Sequence, residues 1–417
     1  MSNIKQVYAT LKIDDGDLQI LVAEYYNTRF NIINTYNCET LGVNEYKIVN
    51  EEEFVKCLKD AVDVVSNKIG ARLEKVILVL PPYNFKRTSL RVSLIPNGST
   101  IRKKDVARAI TNALKTDIDD SLMVINASVI KYTINGISYR RLPENETCEE
   151  ALIDIDLLCA DKEMAVSYVE VIYKANLEVL DLCLSNYAIS KESVSLENSI
   201  SKNIILLDIV KNYTYLTLLS KGKLLQSDII FEGFNTMCQA FYNKYHLPMD
   251  TISRLIKYNV NFDETELDKT ILAYSDNDVQ KPLTVRELNE FIKPYLDSYI
   301  DKLLQACKPI MEMGADFIVC GEGSQMLALV DKLMRDSNCD VKTYYPDAIG
   351  VRNTNLCANY GALFVYKEKA NLNELSVNCV NIAEYDKVVD QIEEDVEGES
   401  ITTKIKNLFE MYKNRED

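Results

Sequence analysis

The sequence predicts two α/β lobes related by internal duplication, each opening on a strand hairpin with acidic residues at or beside its turn. Three observations lead there. Residues 7–13 read as a strand, turn through Asp14, Asp15, Gly16 and Asp17, and continue as strands over 18–24 and 29–35. About 195 residues later, 203–219 repeats the theme as strand, Asp208, turn and second strand, with a further strand over 223–231. Short buried runs, 76–80 and 317–320, stop at Pro81-Pro82 and at Gly321. At 417 residues the chain is too long for one ordinary core.

The elements follow in order. Residues 51–69 are expected as a helix, with Phe54, Leu58, Ala61, Val62 and Val65 on one face. From about Phe85 the pattern changes to a strand (88–94), a helix (102–114) and strands over 122–132, 134–139 and 151–160, a small α+β insert. A helix (162–175) and a strand (177–185) return to the first sheet. Beyond the second hairpin come helices over 234–245, 251–258 and 285–313. Thr284 and Glu287 are spaced as a capping box, and Pro294 is expected to bend or break the last of these helices. The acidic run 385–398 reads as a solvated linker. In 401–417, Ile401, Ile405, Leu408, Phe409 and Tyr412 recur at helical spacing among Lys404, Lys406, Lys413 and Arg415, the pattern of an interfacial helix.

Composition narrows the chemistry. A net charge of −16 disfavours nucleic acid as a partner, because phosphate binding needs a basic surface. The 11 cysteines contain no CxxC pair, and His246 is the single histidine, so neither a Cys/His zinc site nor a Ser-His or Cys-His nucleophile has its partners. These cysteines read as reduced, packed side chains. Thirteen glycines are few for loops that cradle phosphate with backbone amides. There is no run of 18 apolar residues and no secretory-type leader at the N-terminus, so a cytoplasmic protein is expected.

The stretch YPDAIGVRNTNLCANYGALFVYK (345–367), with FIVCGEGSQMLALVDKL (317–333) before it, resembles the bacterial cell-division protein family FtsA, whose members are actin-like ATPases. Lys104-Asp105-Val106-Ala107-Arg108-Ala109 is similar to the "DVAR" helix of that family's 1C subdomain. The resemblance runs through the chain in order. It implies an actin-like fold of duplicated ribonuclease-H-like lobes with a 1C insert. The implied divisions are 1–86, 161–202 (subdomain 1A), 87–160 (1C), 203–232 and 300–380 (2A), 233–299 (2B), the linker 381–400 and the amphipathic segment 401–417. It also implies ATP and Mg²⁺ in the cleft, held by Asp14, Asp15, Gly16, Asp208, Thr214, Gly233, Lys257, Gly321, Glu322, Gly323 and Ser324, with Asp208 on the metal.

Departures accompany the likeness. Lys12 stands where the family has its metal-side Asp, Asp14 where it has a Gly, and Gln19 where it has a Lys; a register slip would bring Asp14 or Asp15 to the metal instead. In the second loop Asp208 and Thr214 remain, but Val210, Lys211 and Asn212 replace three glycines. Arg254 takes the place of the ribose-gripping Glu of a Glu-x-x-Lys pair, while Lys257 is kept. An ATPase of low activity, or none, is implied. The resemblance further implies filaments of this chain, docking of the FtsZ tail on 2B near Arg254, Lys257 and Arg286, and attachment to the inner face of the membrane at the division site through Ile401, Lys404, Ile405, Leu408, Phe409 and Tyr412. Alternative readings are an active polymerising ATPase, or another actin-fold protein of the cell-shape, plasmid-segregation, chaperone or sugar-kinase kind.

Overall fold

The computed structural model describes residues 5–144, 146–263, 265–276, 279–348 and 350–398. The chain opens with a three-stranded antiparallel meander, β1 (Gln6–Asp14), β2 (Asp17–Tyr26) and β3 (Arg29–Cys38). A two-residue ladder, β4 (Val43–Asn44) with β5 (Lys47–Ile48), leads into helix α1 (Glu51–Ile69) and strand β6 (Lys75–Leu80). Asn50 caps α1 through the Glu53 amide, and Gly70 ends it in the left-handed conformation.

The insert follows as β7 (Lys86–Leu94), α2 (Lys103–Ala113), β8 (Leu122–Ile134), β9 (Ile137–Tyr139) and β10 (Ala151–Asp161). Its four strands form their own antiparallel sheet, in the order β7-β10-β8-β9, against which α2 packs Val106, Ala109 and Ala113. Helix α3 (Lys162–Lys174) and strand β11 (Glu178–Leu184) complete the first sheet, β3-β2-β1-β6-β11, with β6 and β11 parallel to β1.

Helices α4 (Ser185–Glu192) and α5 (Ser195–Asn198) carry the chain across to the second lobe. There β12 (Asn203–Ile209), β13 (Thr214–Ser220) and β14 (Lys223–Ile230) form a second meander. Helices α6 (Phe234–Tyr245) and α7 (Met249–Asn259), the hairpin β15 (Thr270–Asp276) with β16 (Val279–Thr284), and the long α8 (Val285–Met311) build a side unit. Strand β17 (Ala315–Cys320), α9 (Leu327–Ser337) and β18 (Val341–Thr343) return to the second sheet, β14-β13-β12-β17-β18. The two five-stranded sheets share one order: third, second and first strand of a meander, then two parallel strands. The duplication is therefore present in three dimensions.

The last crossing brings α10 (Cys357–Asn373) back onto the first sheet, where it packs against α4, and α11 (Ile382–Gly398) closes the described chain. At Gly361 the backbones of α10 and α4 touch: a Cβ there would lie 2.2 Å from the Ala188 carbonyl oxygen.

Two expectations are corrected. Helix α8 runs unbroken through Pro294 and Pro309. Both prolines lie on its exposed side, as does Glu290, whose carbonyl is the one that Pro294, lacking an N–H, leaves without its intrahelical donor. Ile292, Leu296, Ile300 and Leu303 hold the other side in the core. The acidic run is helical rather than a linker, because Ile382, Tyr385 and Val389 return at helical spacing to pack on the first lobe. Tyr385 donates to Glu24 (3.2 Å), and Arg72 pairs with Glu384 (3.0 Å).

The lobes also meet at Glu192, which accepts a 2.7 Å hydrogen bond from the Tyr344 hydroxyl. Burial pushes the Glu192 carboxyl up to about 7, against the opposing pull of Tyr344. A raised folded value means that this group stabilises the fold at acid pH, an effect lost as pH rises from about 4.5 through 7. Glu192→Gln is therefore expected to be more stable than the wild type at pH 8 by about 1–3 kcal/mol, and about equal at pH 4. Urea melts at both pH values check this, and a gap independent of pH would contradict it.

Candidate functional site: the inter-lobe cleft

The two meander turns face each other across the lobe junction and touch. Lys211 Nζ donates to the Gly16 carbonyl (2.9 Å), and Asn212 Nδ2 to the Asp15 carbonyl (2.9 Å). The Tyr213 hydroxyl donates to Asp15 Oδ2 (2.7 Å). Deeper in, the Tyr215 hydroxyl donates to Asp14 Oδ1 (2.7 Å) and accepts from Tyr46 (3.2 Å).

All of β1 is buried, so its polar residues near the turn lie inside the junction. Lys12 is 3% exposed and pairs with Asp14 Oδ2 at 2.8 Å. Burial alone would lower the Lys12 ammonium, but Asp14 first, then Asp208 and Asp17, hold it above its ordinary value and charged. Asp208, next to last in β12, is 4% exposed, and its Oδ2 has no hydrogen-bond partner. Burial raises the Asp208 carboxyl, with Lys12 opposing. Burial likewise pushes Asp17 up to about 6.

The second loop closes in from the other side. The Phe234 and Asn235 amides, at the start of α6, donate to the carbonyls of Val210 (3.1 Å) and Lys211 (2.7 Å). Free amides at a helix N-terminus make a ready anion site, and here the loop carbonyls occupy them. Gly233 allows that approach, since a Cβ there would lie 2.5 Å from the Val210 carbonyl oxygen. Thr214 donates to the Glu232 carbonyl (2.8 Å) and Ser324 to the Gly321 carbonyl (2.8 Å). Gly321, at φ +79°, and Gly323 pack against Asp208 and Ile209. Glu322 turns to Lys257, which pairs with it at 2.7 Å and lies over the Phe234 ring.

What remains open is a crevice too narrow for a water molecule, lined by Lys12, Asp17, Val210, Lys211, Glu322 and Asn355 among others. Ligand pockets commonly hold roughly 300–1,000 Å³. Among the described residues, no group of three or more His, Cys, Asp or Glu side chains is placed to hold a metal. In this arrangement the residues do not fit a metal-bound triphosphate: the Lys12 ammonium is paired with Asp14, and loop side chains and carbonyls take up the phosphate space.

The structure thus brings together Asp14, Asp15, Gly16, Asp208, Lys257, Gly321, Glu322 and Gly323 around one closed cleft, with Thr214, Gly233 and Ser324 at its rim. Asp15 is tied to Tyr213 and Asp14 to Lys12, so neither is left free by a register slip. Lys257 faces the cleft, whereas Arg254 is exposed and donates to the Asp250 carbonyl (3.3 Å). Arg286, also exposed, pairs with Asp268 (3.0 Å). Ile401, Lys404, Ile405, Leu408, Phe409 and Tyr412 lie outside the described residues. Sequence reasoning missed the tyrosines Tyr46, Tyr213 and Tyr215, whose signal was the pair flanking Thr214 in place of small residues.

Two like-ordered sheets closing on a cleft between paired hairpin turns define an actin-like fold. The fold of the PilM–PilN type IV pilus biogenesis complex matches with a TM-score of 0.56 at 13% identity, over 86% of this chain and 98% of that one. MreB5 of Spiroplasma citri, solved bound to AMPPNP, matches with a TM-score of 0.51 at 11% identity, over 89% and 99%. Within that class the chain is similar in sequence to the cell-division protein FtsA. It is 21% identical to FtsA of Enterococcus hirae over 97% of this chain and 98% of that protein, and 19% identical to FtsA of Bacillus subtilis over 87% and 83%. No family model matches the chain.

Gly321 bears on the site directly, because its Cβ would strike Asp208 Oδ1 and the Ile209 carbonyl, both at 2.5 Å. Gly321→Ala is expected to cost about 2–4 kcal/mol in chemical denaturation. A loss below about 0.5 kcal/mol would mean that the cleft yields easily.

Proposed function

We propose that this chain is an FtsA-like cell-division protein that works as an assembling adaptor, and that its cleft no longer turns over ATP. The observation that carries the second part is the direct bonding of the two turns, Lys211 to Gly16 and Asn212 to Asp15, where the resemblance would put phosphate. The first part rests on likeness to FtsA over nearly the whole chain. On this reading the chain forms head-to-tail filaments, because a heterologous contact does not close on itself. It ties FtsZ to the inner face of the membrane. A groove of about 410 Å³ lined by Met237, Pro294, Tyr295, Tyr299 and Lys302, in the region implied for the FtsZ tail, supports a docking role for 2B. The amphipathic pattern of 401–417 supports membrane contact, weak for one copy and strengthened by multivalency in a filament. Among the described residues no helix is long and apolar enough to cross a membrane.

Calorimetric titration with Mg²⁺-ATP tests the cleft. No binding up to millimolar nucleotide is expected. Micromolar binding that disappears in Asp208→Ala would overturn the reading and make nucleotide-driven polymerisation the function to pursue. For the anchor, removal of residues 401–417 is expected to abolish co-sedimentation with anionic liposomes, and unchanged sedimentation would dispose of it.

A further inference from the structure

The disagreement between this cleft and a metal-bound nucleotide has a specific chemical form. Lys12 and Asp14 belong to the first lobe and Asp208 to the second. Asp14 is held from both sides: Lys12 at 2.8 Å from its own strand, and the Tyr215 hydroxyl at 2.7 Å from the opposite lobe. Asp208 is 4% exposed, its Oδ2 is left without a hydrogen bond, and it is the cross-strand partner of Tyr215, the residue that reaches Asp14. Asp14 Oδ2, also out of reach of solvent, has Lys12 as its ion-pair partner and no aligned hydrogen bond.

Two buried carboxylates from facing lobes, each with an oxygen that no hydrogen bond satisfies, suit a divalent ion, which binds through such oxygens. A buried lysine is rare and is retained only where its charge is matched. Its ammonium is a compact point charge with three donors. We propose that the Lys12 ammonium is a built-in cation, taking the place a divalent ion would need between Asp14 and Asp208 and clasping the two lobes in the closed state without any nucleotide. This rests on the reading of the cleft as nucleotide-independent. It adds the group that replaces the cofactor and makes closure a property of the chain itself.

The test uses the full chain and Mn²⁺ alone as the probe, followed by its electron paramagnetic resonance signal. The wild type is expected to take up no Mn²⁺ at millimolar concentration. Lys12→Ala frees the space beside both carboxylates. It is expected to bind one Mn²⁺ per chain, to melt lower in chelator, and to recover on adding Mn²⁺. Adding Asp208→Asn to that variant is expected to abolish uptake. Lys12→Gln keeps the length and removes the charge. In it, amide hydrogen exchange in loop 210–213 should rise about tenfold while that of α10 stays unchanged.

A folded Lys12→Ala that binds no Mn²⁺ would overturn the proposal, as would a Lys12→Gln whose 210–213 loop exchanges as in the wild type. If Lys12→Ala fails to fold even with Mn²⁺, Lys12→Gln decides alone. ATP binding by the wild type, by contrast, would count against the nucleotide-independent reading and leaves the Mn²⁺ result to judge the lysine by itself.

Discussion

A charge removed from water must find its opposite, and at the centre of this molecule that constraint is met by Lys12 and Asp14. Both sit on a strand buried along its whole length. Because Tyr215 of the second lobe completes the shell of Asp14, satisfying this pair draws the lobes together. The outer contacts of Lys211, Asn212 and Tyr213 lie around that centre, nearer the turns. Breaking a buried pair from one side leaves an uncompensated charge, at a cost of about 3–5 kcal/mol, so the junction cannot lose one member quietly.

The second lobe answers with the same economy of groups. Its loop carbonyls satisfy the first amides of α6, and its glycines sit where another backbone or Asp208 comes closest. Lys257 and Glu322 neutralise each other at the cleft wall. The α6 amides, Lys211, Asn212, Lys257 and Lys12 are thus each met by another part of the chain, and the narrow crevice lies among those pairings.

Much of this was legible beforehand, for a physical reason. Strand and helix periodicity is local, so the meanders, α1, α6 and the insert follow from spacing alone, and the repeat of the first hairpin in the second exposed the duplication. The unread parts depend on contacts distant in sequence or on burial. The hairpin β15–β16 lies in a polar stretch without strong alternation, and α4 is a short helix defined by packing against α10. The acidic run looked solvated because its charges outnumber Ile382, Tyr385 and Val389, yet those few side chains decide its docking. In the cleft, Lys12 stood out as a reversed charge, but its pairing with Asp14 two residues on needed the closed geometry. Glu322 and Lys257 were both assigned to a ligand, and the structure has them bind each other.

The contact at Gly361 has a mechanical meaning. The chain passes between lobes twice, through α4 and α5 outward and into α10 on return, and these two passages meet where the α10 backbone rests on Ala188. With no side chain between them, the helices have nothing to compress or re-rotamer at that point. Both helices rest on the first lobe, so this contact fixes where the chain leaves for the second lobe against where it comes back. Any residue larger than glycine at 361 would part the outgoing and returning passages, and the seat of one lobe on the other would be lost with them.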